Sequence, residues 1–208
     1  MDIINPNLND YLLNIAPERD SVLTEMEQYA KERNFPIIGP LCGKLLFILA
    51  RSINAKRILE LGSGYGYSAY WFGKATADDA TITCTEGSPD NAKLAMQYLK
   101  RGKIDGKVTF LTGDALELMD TVQGMFDIIL IDIDKHQYPQ AFQKSLPRLR
   151  QGGLLIADNA LRSGKIIEPH PDKNTAGILT YNRLANSNDG LATTIIPLRD
   201  GVSVSVKL

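Results

Sequence analysis

A glycine-rich stretch after an apolar run is the first part of this sequence that could do chemistry. Gly62, Gly64 and Gly66 follow the run 57–61, and an acid, Glu60, stands two residues before the first glycine. Such a turn lets the backbone approach a ligand, and the next helix offers its amino end. The dinucleotide-binding fingerprint requires a third glycine five positions after the first, where this chain has Tyr67. The spacing therefore indicates a nucleotide-sized cofactor, but not the dinucleotide form.

A second set of chemically capable residues follows two later apolar runs. Asp132 follows the run 126–131, and Asp158 and Asn159 follow the run 154–157. If both runs are parallel strands of one sheet, their carboxyl ends meet at one edge and bring two carboxylates and an amide oxygen together. These hard oxygen donors suit Mg²⁺, Ca²⁺ or Mn²⁺. The alternative is that Asp158 and Asn159 form only a turn and that Asp132 contacts only the cofactor.

Carboxylates this close repel each other, so a cation is expected among them: a metal, Lys135, or both. Three other polar residues stand at predicted strand ends or at a helix start. Glu86 can accept hydrogen bonds from both hydroxyls of a ribose, or can be a solvated carboxylate. Asp114 can cap the next helix, accept from an adenine amino group, or do both. Ser68 can be a helix N-cap or can hold the cofactor's carboxylate.

Alternating strands and helices must position these residues. Apolar and β-branched runs predict strands over 57–61, 80–86, 107–111, 126–131 and 154–157. The spacing of apolar residues predicts helices over 68–74, 89–101, 115–122 and 138–149, the last of which is closed by the turn 150–153. This alternation predicts right-handed crossovers and a parallel sheet.

Both ends of the chain depart from the alternation. Near the C-terminus, β-rich runs over 193–198 and 202–207 flank an Asp-Gly turn, which predicts a hairpin and an antiparallel final strand. Near the N-terminus, helices are predicted over 8–15, 21–33 and 39–53. These helices could cap the cofactor, form a dimer surface, or simply pack on the sheet.

The composition is that of a globular domain. A chain of 208 residues with 44% apolar residues can bury one large core. The net charge of −1 gives no indication of nucleic acid or an anionic membrane as a partner. Cys42 and Cys84 form no disulfide framework, and Cys84 is interpreted as a small buried hydrophobe. No apolar run has the length of a membrane span and residues 1–5 lack a secretory pattern, so we expect a cytoplasmic protein.

Taken in order, these blocks resemble the cation-dependent S-adenosylmethionine O-methyltransferase family, which includes catechol and caffeoyl-CoA O-methyltransferases. The glycine loop has the family's E-x-G-x-G-x-G form, and the resemblance runs from Pro36 to Gly201 through the blocks 60–68, 85–86, 113–115, 126–135 and 152–159. It implies an α/β, Rossmann-like methyltransferase fold with a mostly parallel seven-stranded sheet, an antiparallel C-terminal strand and helices on both faces. It also implies one domain over 1–208, with an N-terminal helical cap or dimer segment (1–54) and an α/β core (55–208).

The resemblance also assigns roles. It implies that Asp132, Asp158 and Asn159 hold the divalent ion, that Lys135 is the catalytic base, and that the chain is a homodimer acting on a small-molecule acceptor. The metal would lower the pKa of a hydroxyl on a catechol-like or phenolic acceptor and fix its geometry for methyl transfer. The residues expected to bind S-adenosylmethionine are Glu60, Gly62, Ser63, Gly64, Gly66, Ser68, Glu86, Gly113, Asp114, Ala115 and Asp132. A surface salt bridge to Asp134 is the alternative for Lys135, and His136 is a secondary candidate base.

The acceptor side departs from the family. Family members usually carry an aromatic-bearing segment after Asn159, whereas residues 160–174 offer no aromatic ring to stack on a phenol. Arg162 and Lys165 could meet an acidic acceptor or be solvated, and Tyr65 and Tyr67 are interpreted as packing groups. Two other function classes stay open: a nicotinamide-dependent oxidoreductase, disfavoured by the glycine spacing and the hairpin, and a protein that binds the cofactor without turnover.

Overall fold

The computed structural model describes residue 3 and residues 5–208. Residues 1, 2 and 4 lie outside the described residues; they belong to the predicted N-terminal segment and to the stretch 1–5, which lacks a secretory pattern. The helices are α1 (Pro6–Ile15), α2 (Ser21–Arg33), α3 (Gly39–Ser52), α4 (Tyr67–Ala75), α5 (Pro89–Arg101), α6 (Ala115–Thr121), α7 (Tyr138–Ser145) and α8 (Lys173–Asn186). The strands are β1 (Arg57–Leu61), β2 (Thr81–Glu86), β3 (Val108–Thr112), β4 (Phe126–Ile131), β5 (Leu149–Ala157), β6 (Leu191–Ile196) and β7 (Val202–Lys207). Within the described part of the chain, no helix has the length and apolar character needed to cross a membrane.

The seven strands form one sheet in the order β3-β2-β1-β4-β5-β7-β6. Strands β1 to β5 are parallel, and β7 runs antiparallel to both of its neighbours, β5 and β6. The predicted Rossmann-like fold with a reversed C-terminal strand is therefore confirmed. The strand order reverses between β1 and β4, and the crevice outside the carboxyl ends of the strands at such a switch point is where open α/β sheets bind ligands.

Helices cover both faces of the sheet because the central strands are apolar on both sides. Ile58 and Leu59 of β1 are both fully buried, but they belong to separate core clusters on opposite faces. The cluster around Ile58 includes side chains of α2 to α5, among them Met26 and Leu46, whereas the cluster around Leu59 includes side chains of α6 to α8. The N-terminal helices α2 and α3 thus pack into the same core as the sheet.

The largest differences from the sequence-based expectation lie in helix α8 and in the segment 146–153. Helix α8 was not predicted, since its sequence mixes a glycine and β-branched residues that lower helix propensity; the Asp172 carboxylate caps it by accepting from the Thr175 N–H at 2.6 Å. The predicted helix over 138–149 ends at Ser145 instead, and the predicted turn 150–153 is wrong, because these residues lie inside β5. Pro147 lies in the 3₁₀ turn (Leu146–Arg148) that follows α7. Gly152 lies within β5 with a φ of 71°, which accommodates the irregular register between β4 and β5.

Candidate active site

A cavity of about 780 Å³ lies where the carboxyl ends of the parallel strands meet the glycine loop. The segment between α2 and α3, residues 35–38, also lines it, so this N-terminal region both packs on the sheet and covers the cavity. The cavity lining includes twelve predicted site residues: Gly62, Ser63, Gly64, Ser68, Glu86, Gly113, Asp114, Ala115, Asp132, Lys135, Asp158 and Asn159. The other two, Glu60 and Gly66, do not reach the cavity surface.

The glycine loop has a backbone that side chains would obstruct. Gly62 and Gly64 have φ values of 81° and 56°, in the left-handed region. A Cβ on Gly62 would collide with the backbone oxygen of Asp132, and one on Gly64 would lie 3.0 Å from the ring of Phe35. The loop therefore passes close to the end of β4 and presents bare backbone to the cavity.

Glu60 supports the loop from within the protein. It is fully buried, and its carboxylate accepts hydrogen bonds from the Ser68 hydroxyl and, at 3.4 Å, from the Cys84 thiol. Burial raises the pKa of Glu60 from 4.5 to about 7. The structure thus places Glu60 behind Ser68, so that it orients a residue of the cavity wall. Cys84 is a buried free thiol, as its apolar surroundings predicted.

Two further acids are fixed at the ends of β2 and β3. Glu86 accepts from the Gly64 N–H at 2.8 Å with one oxygen, and from Ser88 and Asn91 at 3.0 and 3.1 Å with the other. This carboxylate therefore ties β2 to the glycine loop beside the cavity. Asp114 caps α6, which confirms that part of its prediction, because one oxygen accepts from the N–H groups of residues 116 and 117.

Asp132 and Asp158 follow the neighbouring strands β4 and β5, and each already has a cationic partner. Asp132 Oδ1 accepts from Lys135 Nζ at 2.7 Å, and Asp158 Oδ2 accepts from Arg199 Nη1 at 2.9 Å. Burial, together with the nearby charge of Asp132, raises the pKa of Asp158 to about 6. Asp158 Oδ1 is buried and has no hydrogen-bond partner. The expected cation among these carboxylates is thus supplied by two side chains, and sequence reasoning missed Arg199.

Arg199 reaches the site because the β6–β7 turn docks on the loop after β5. The Asn159 side-chain amide donates to Asp200 Oδ2 at 2.9 Å, and the N–H groups of Ala160 and Leu161 donate to the backbone oxygens of Gly201 and Asp200 at 2.8 and 2.9 Å. The only sequence signal for this contact was the Asp-Gly turn itself, which predicts a hairpin but not where its tip lies.

Lys135 bonds Asp132 rather than Asp134, so the predicted alternative of a surface salt bridge to Asp134 is wrong. Its ammonium also donates to the Ile133 carbonyl oxygen at 3.1 Å. The two strand ends that carry Asp132 and Asp158 are joined by Tyr138, a buried residue whose hydroxyl lies 3.1 Å from the carbonyl oxygens of both Ile131 and Asp158. This contact adds to the direct hydrogen bond between the strand ends, in which the Asp158 N–H donates to the Ile131 carbonyl oxygen at 3.2 Å.

The acceptor side of the cavity combines apolar and cationic groups. Arg162 lines it and has a buried Nε without a hydrogen-bond partner, whereas Lys165 is absent from the lining. Phe35 supplies an aromatic ring that sequence reasoning had not assigned to the site. Tyr65 and Tyr67 donate to the Met26 carbonyl and to Glu27, both at 2.8 Å, as packing groups would.

The donors fit a hard divalent cation. No group of three His, Cys, Asp or Glu side chains in the described ranges could hold a metal, so the set consists of two carboxylates and one amide, Asp132, Asp158 and Asn159. The unpartnered Asp158 Oδ1 is the observation that favours the fit, because a buried carboxylate oxygen normally has a donor or a metal.

Comparison with known proteins places this chain in a family. Residues 14–208 match the O-methyltransferase family. The catechol O-methyltransferase of Niastella koreensis is 29% identical and the match covers 96% of each chain. The solved O-methyltransferase from Bacillus cereus in complex with SAH is 27% identical, with a TM-score of 0.89 and 97% of each chain covered. TomG from Streptomyces achromogenes, solved in complex with SAM, is 26% identical with a TM-score of 0.89, over 97% of this chain and 96% of its own. The chain belongs to the O-methyltransferase family.

Proposed function

We propose that this protein transfers the methyl group of S-adenosylmethionine to a hydroxyl of a small catechol-like or phenolic acceptor, with assistance from a divalent metal. One observation carries the proposal: the glycine loop and the set Asp132, Asp158 and Asn159 line the same cavity. The similar proteins solved with SAM and SAH support the donor, and the similar catechol O-methyltransferase supports the acceptor class. Membership of the O-methyltransferase family argues against the oxidoreductase alternative.

The residues of the donor half fit a nucleoside-sized ligand. A cavity of about 780 Å³ is within the range of cofactor sites, and the bare backbone of Gly62 and Gly64 allows close approach. Glu86, held by three N–H donors, would accept from the ribose hydroxyls. Ser68, oriented by Glu60, would bind a polar group of the methionine part.

The residues of the acceptor half would activate and orient a hydroxyl. Asp132, Asp158 and Asn159 would hold Mg²⁺ or a similar cation, which lowers the pKa of a bound hydroxyl and fixes its orientation. Lys135 is proposed as the general base. In the structure its ammonium donates to Asp132, so it must lose that proton before it can take one from the acceptor.

A methylation assay with S-adenosylmethionine and catechol, with Mg²⁺ or with a chelator, tests the proposal. We expect Asp158→Asn to lower Mg²⁺-dependent turnover by more than about 100-fold, because it removes a ligand carboxylate, and to leave S-adenosylhomocysteine affinity within about twofold. The control is Asp189→Asn, which makes the same charge change at an exposed residue before β6.

Unchanged turnover in chelator would contradict the metal-assisted part. Cofactor binding without methylation of any phenolic or CoA-linked acceptor would favour the binding-only alternative.

The remaining proposals concern assembly and location. We propose one methyltransferase domain over 1–208, in which residues 1–54 act as a cap and dimer segment, and a homodimer in the cytoplasm without nucleic-acid or membrane partners. The two buried free thiols, Cys42 and Cys84, agree with a reducing compartment. The apolar side chains that α1 exposes support self-association.

A further inference from the structure

Arg199 brings a permanent positive charge to the proposed metal site. Its guanidinium bonds Asp158 Oδ2 at 2.9 Å and lines the cavity. Unlike a lysine, an arginine does not give up its proton in a protein. The positive charge of Arg199 beside Asp158 is therefore present at every pH at which the protein is folded.

The two carboxylates of the site are already neutralised in pairs. Lys135 bonds Asp132 at 2.7 Å, and Arg199 bonds Asp158. These four side chains by themselves sum to zero formal charge, whereas a divalent ion binds most tightly where its carboxylate ligands carry uncompensated negative charge. An ion that entered this group would meet two positive charges as well as its ligands.

The turn that carries Arg199 is held firmly in place. The Asn159 amide donates to Asp200 at 2.9 Å, and the Leu161 N–H donates to the Asp200 carbonyl at 2.9 Å. A Cβ on Gly201 would collide with Leu161. The backbone that carries Arg199 is thus held beside Asp158.

We propose that Arg199 competes with the divalent cation for Asp158 and sets the metal affinity of this site. The proposal rests on the function proposed above, in which Asp158 is a metal ligand. Arg199 then acts on the metal through Asp158: it occupies Oδ2 and sets a positive charge beside Oδ1, the buried oxygen that has no hydrogen-bond partner.

The test is a Mn²⁺ titration of the full chain saturated with S-adenosylhomocysteine, in which free Mn²⁺ is measured by electron paramagnetic resonance. Arg199→Gly removes the charge at a φ of 52°, which glycine adopts easily, and we expect it to bind Mn²⁺ at least about tenfold more tightly than the unaltered protein. Arg199→Lys keeps a positive charge and should stay within about threefold. Arg183→Gln, on the exposed side of α8, controls for the change in net charge and should not alter the affinity.

Equal or weaker Mn²⁺ binding by Arg199→Gly would overturn the proposal, because Arg199 would then merely orient Asp158 for the metal. Tight binding that persists when Asp158→Asn is added to Arg199→Gly would overturn it too, since the ion would lie elsewhere. A thermal melt identifies a variant that fails to fold, and Arg199→Asn, which also tolerates positive φ, then replaces it.

Methyl transfer by the unaltered protein is measured in parallel. Its complete absence with every metal would overturn the proposed function, while the affinity comparison would still decide the role of Arg199.

Discussion

Burial separates the carboxylates in and behind this cavity into groups with different tasks. Glu60 is fully buried and Asp158 is 3% exposed, whereas the Asp114 side chain is open to solvent and caps a helix. The pKa values of both buried acids are raised, to about 7 and about 6. Burial thus moves the protonation of Glu60 and Asp158 to higher pH, because it disfavours the charged form of a carboxyl group.

Glu60→Gln tests the energetic cost of the buried acid. The folded protein holds one proton on Glu60 between pH 4.5 and about 7 that the unfolded chain releases. The stabilising contribution of this proton is complete below pH 4.5 and is lost as the pH rises through about 7, a change on the order of 3 kcal/mol. When the free energy of unfolding is measured with urea from pH 5 to pH 8, the variant should lack this part of its decrease with pH.

The exposed Glu117→Gln serves as the control and should follow the unaltered protein. An identical pH dependence for Glu60→Gln would show that Glu60 is ionised throughout the range.

At the scale of elements, α8 supports the turn that carries Lys135. Asn174 accepts from the His136 N–H at 3.2 Å, and Gly177 packs against the backbone of Lys135 and His136. A Cβ on Gly177 would collide with the Lys135 carbonyl and would lie 2.7 Å from His136 Cα. The proposed base is therefore positioned by a helix that lies outside the strands and loops of the cavity.

Gly177→Ala should destabilise the protein by about 1–3 kcal/mol, although alanine favours helices, because backbone atoms rather than flexible side chains would have to move. It should also lower methyl transfer more than S-adenosylhomocysteine affinity, since the shift falls on Lys135. Chemical unfolding and the methylation assay measure the two effects. Gly106→Ala, where a Cβ meets nothing within 4 Å, should change stability by less than about 0.5 kcal/mol; a stable, active Gly177→Ala would contradict the supporting role of α8.

The elements that could be predicted from the sequence are those whose signal is local. The runs 128–131 of β4 and 154–157 of β5 are apolar without interruption, and parallel strands bring their carboxyl ends together, so Asp132 and Asp158 could be placed at one edge. Arg199 could not be placed there, because its position depends on how a turn docks on a distant loop. Helix α8 was missed because its helical spacing competes with residues of low helix propensity.

At the scale of the whole molecule, α1 presents an apolar face to solvent. Leu8, Tyr11 and Ile15 are between 51% and 60% exposed, and Ile48 of α3 is 54% exposed. We expect the protein to elute with the mass of two chains in light-scattering chromatography, and Tyr11→Glu to shift it toward one chain by placing a charge in the contact.

Met125→Glu, at an exposed methionine before β4, is the matched control and should leave the mass unchanged. A single-chain mass for the unaltered protein would contradict the proposed dimer.

Strand β7 connects the cavity to β6, which is the edge strand of the sheet. Among the described strands β6 pairs only with β7, and the turn between them holds Asn159 and Asp158. The docked turn and a ligand at Asp158 are therefore thermodynamically linked, and each must change the free energy of the other by the same amount. Because Arg199 on this turn competes with a divalent cation for Asp158, a bound cation should loosen the turn. Amide hydrogen exchange along β6 and β7 should then become faster when the cation binds, which makes the edge hairpin a reporter of occupancy.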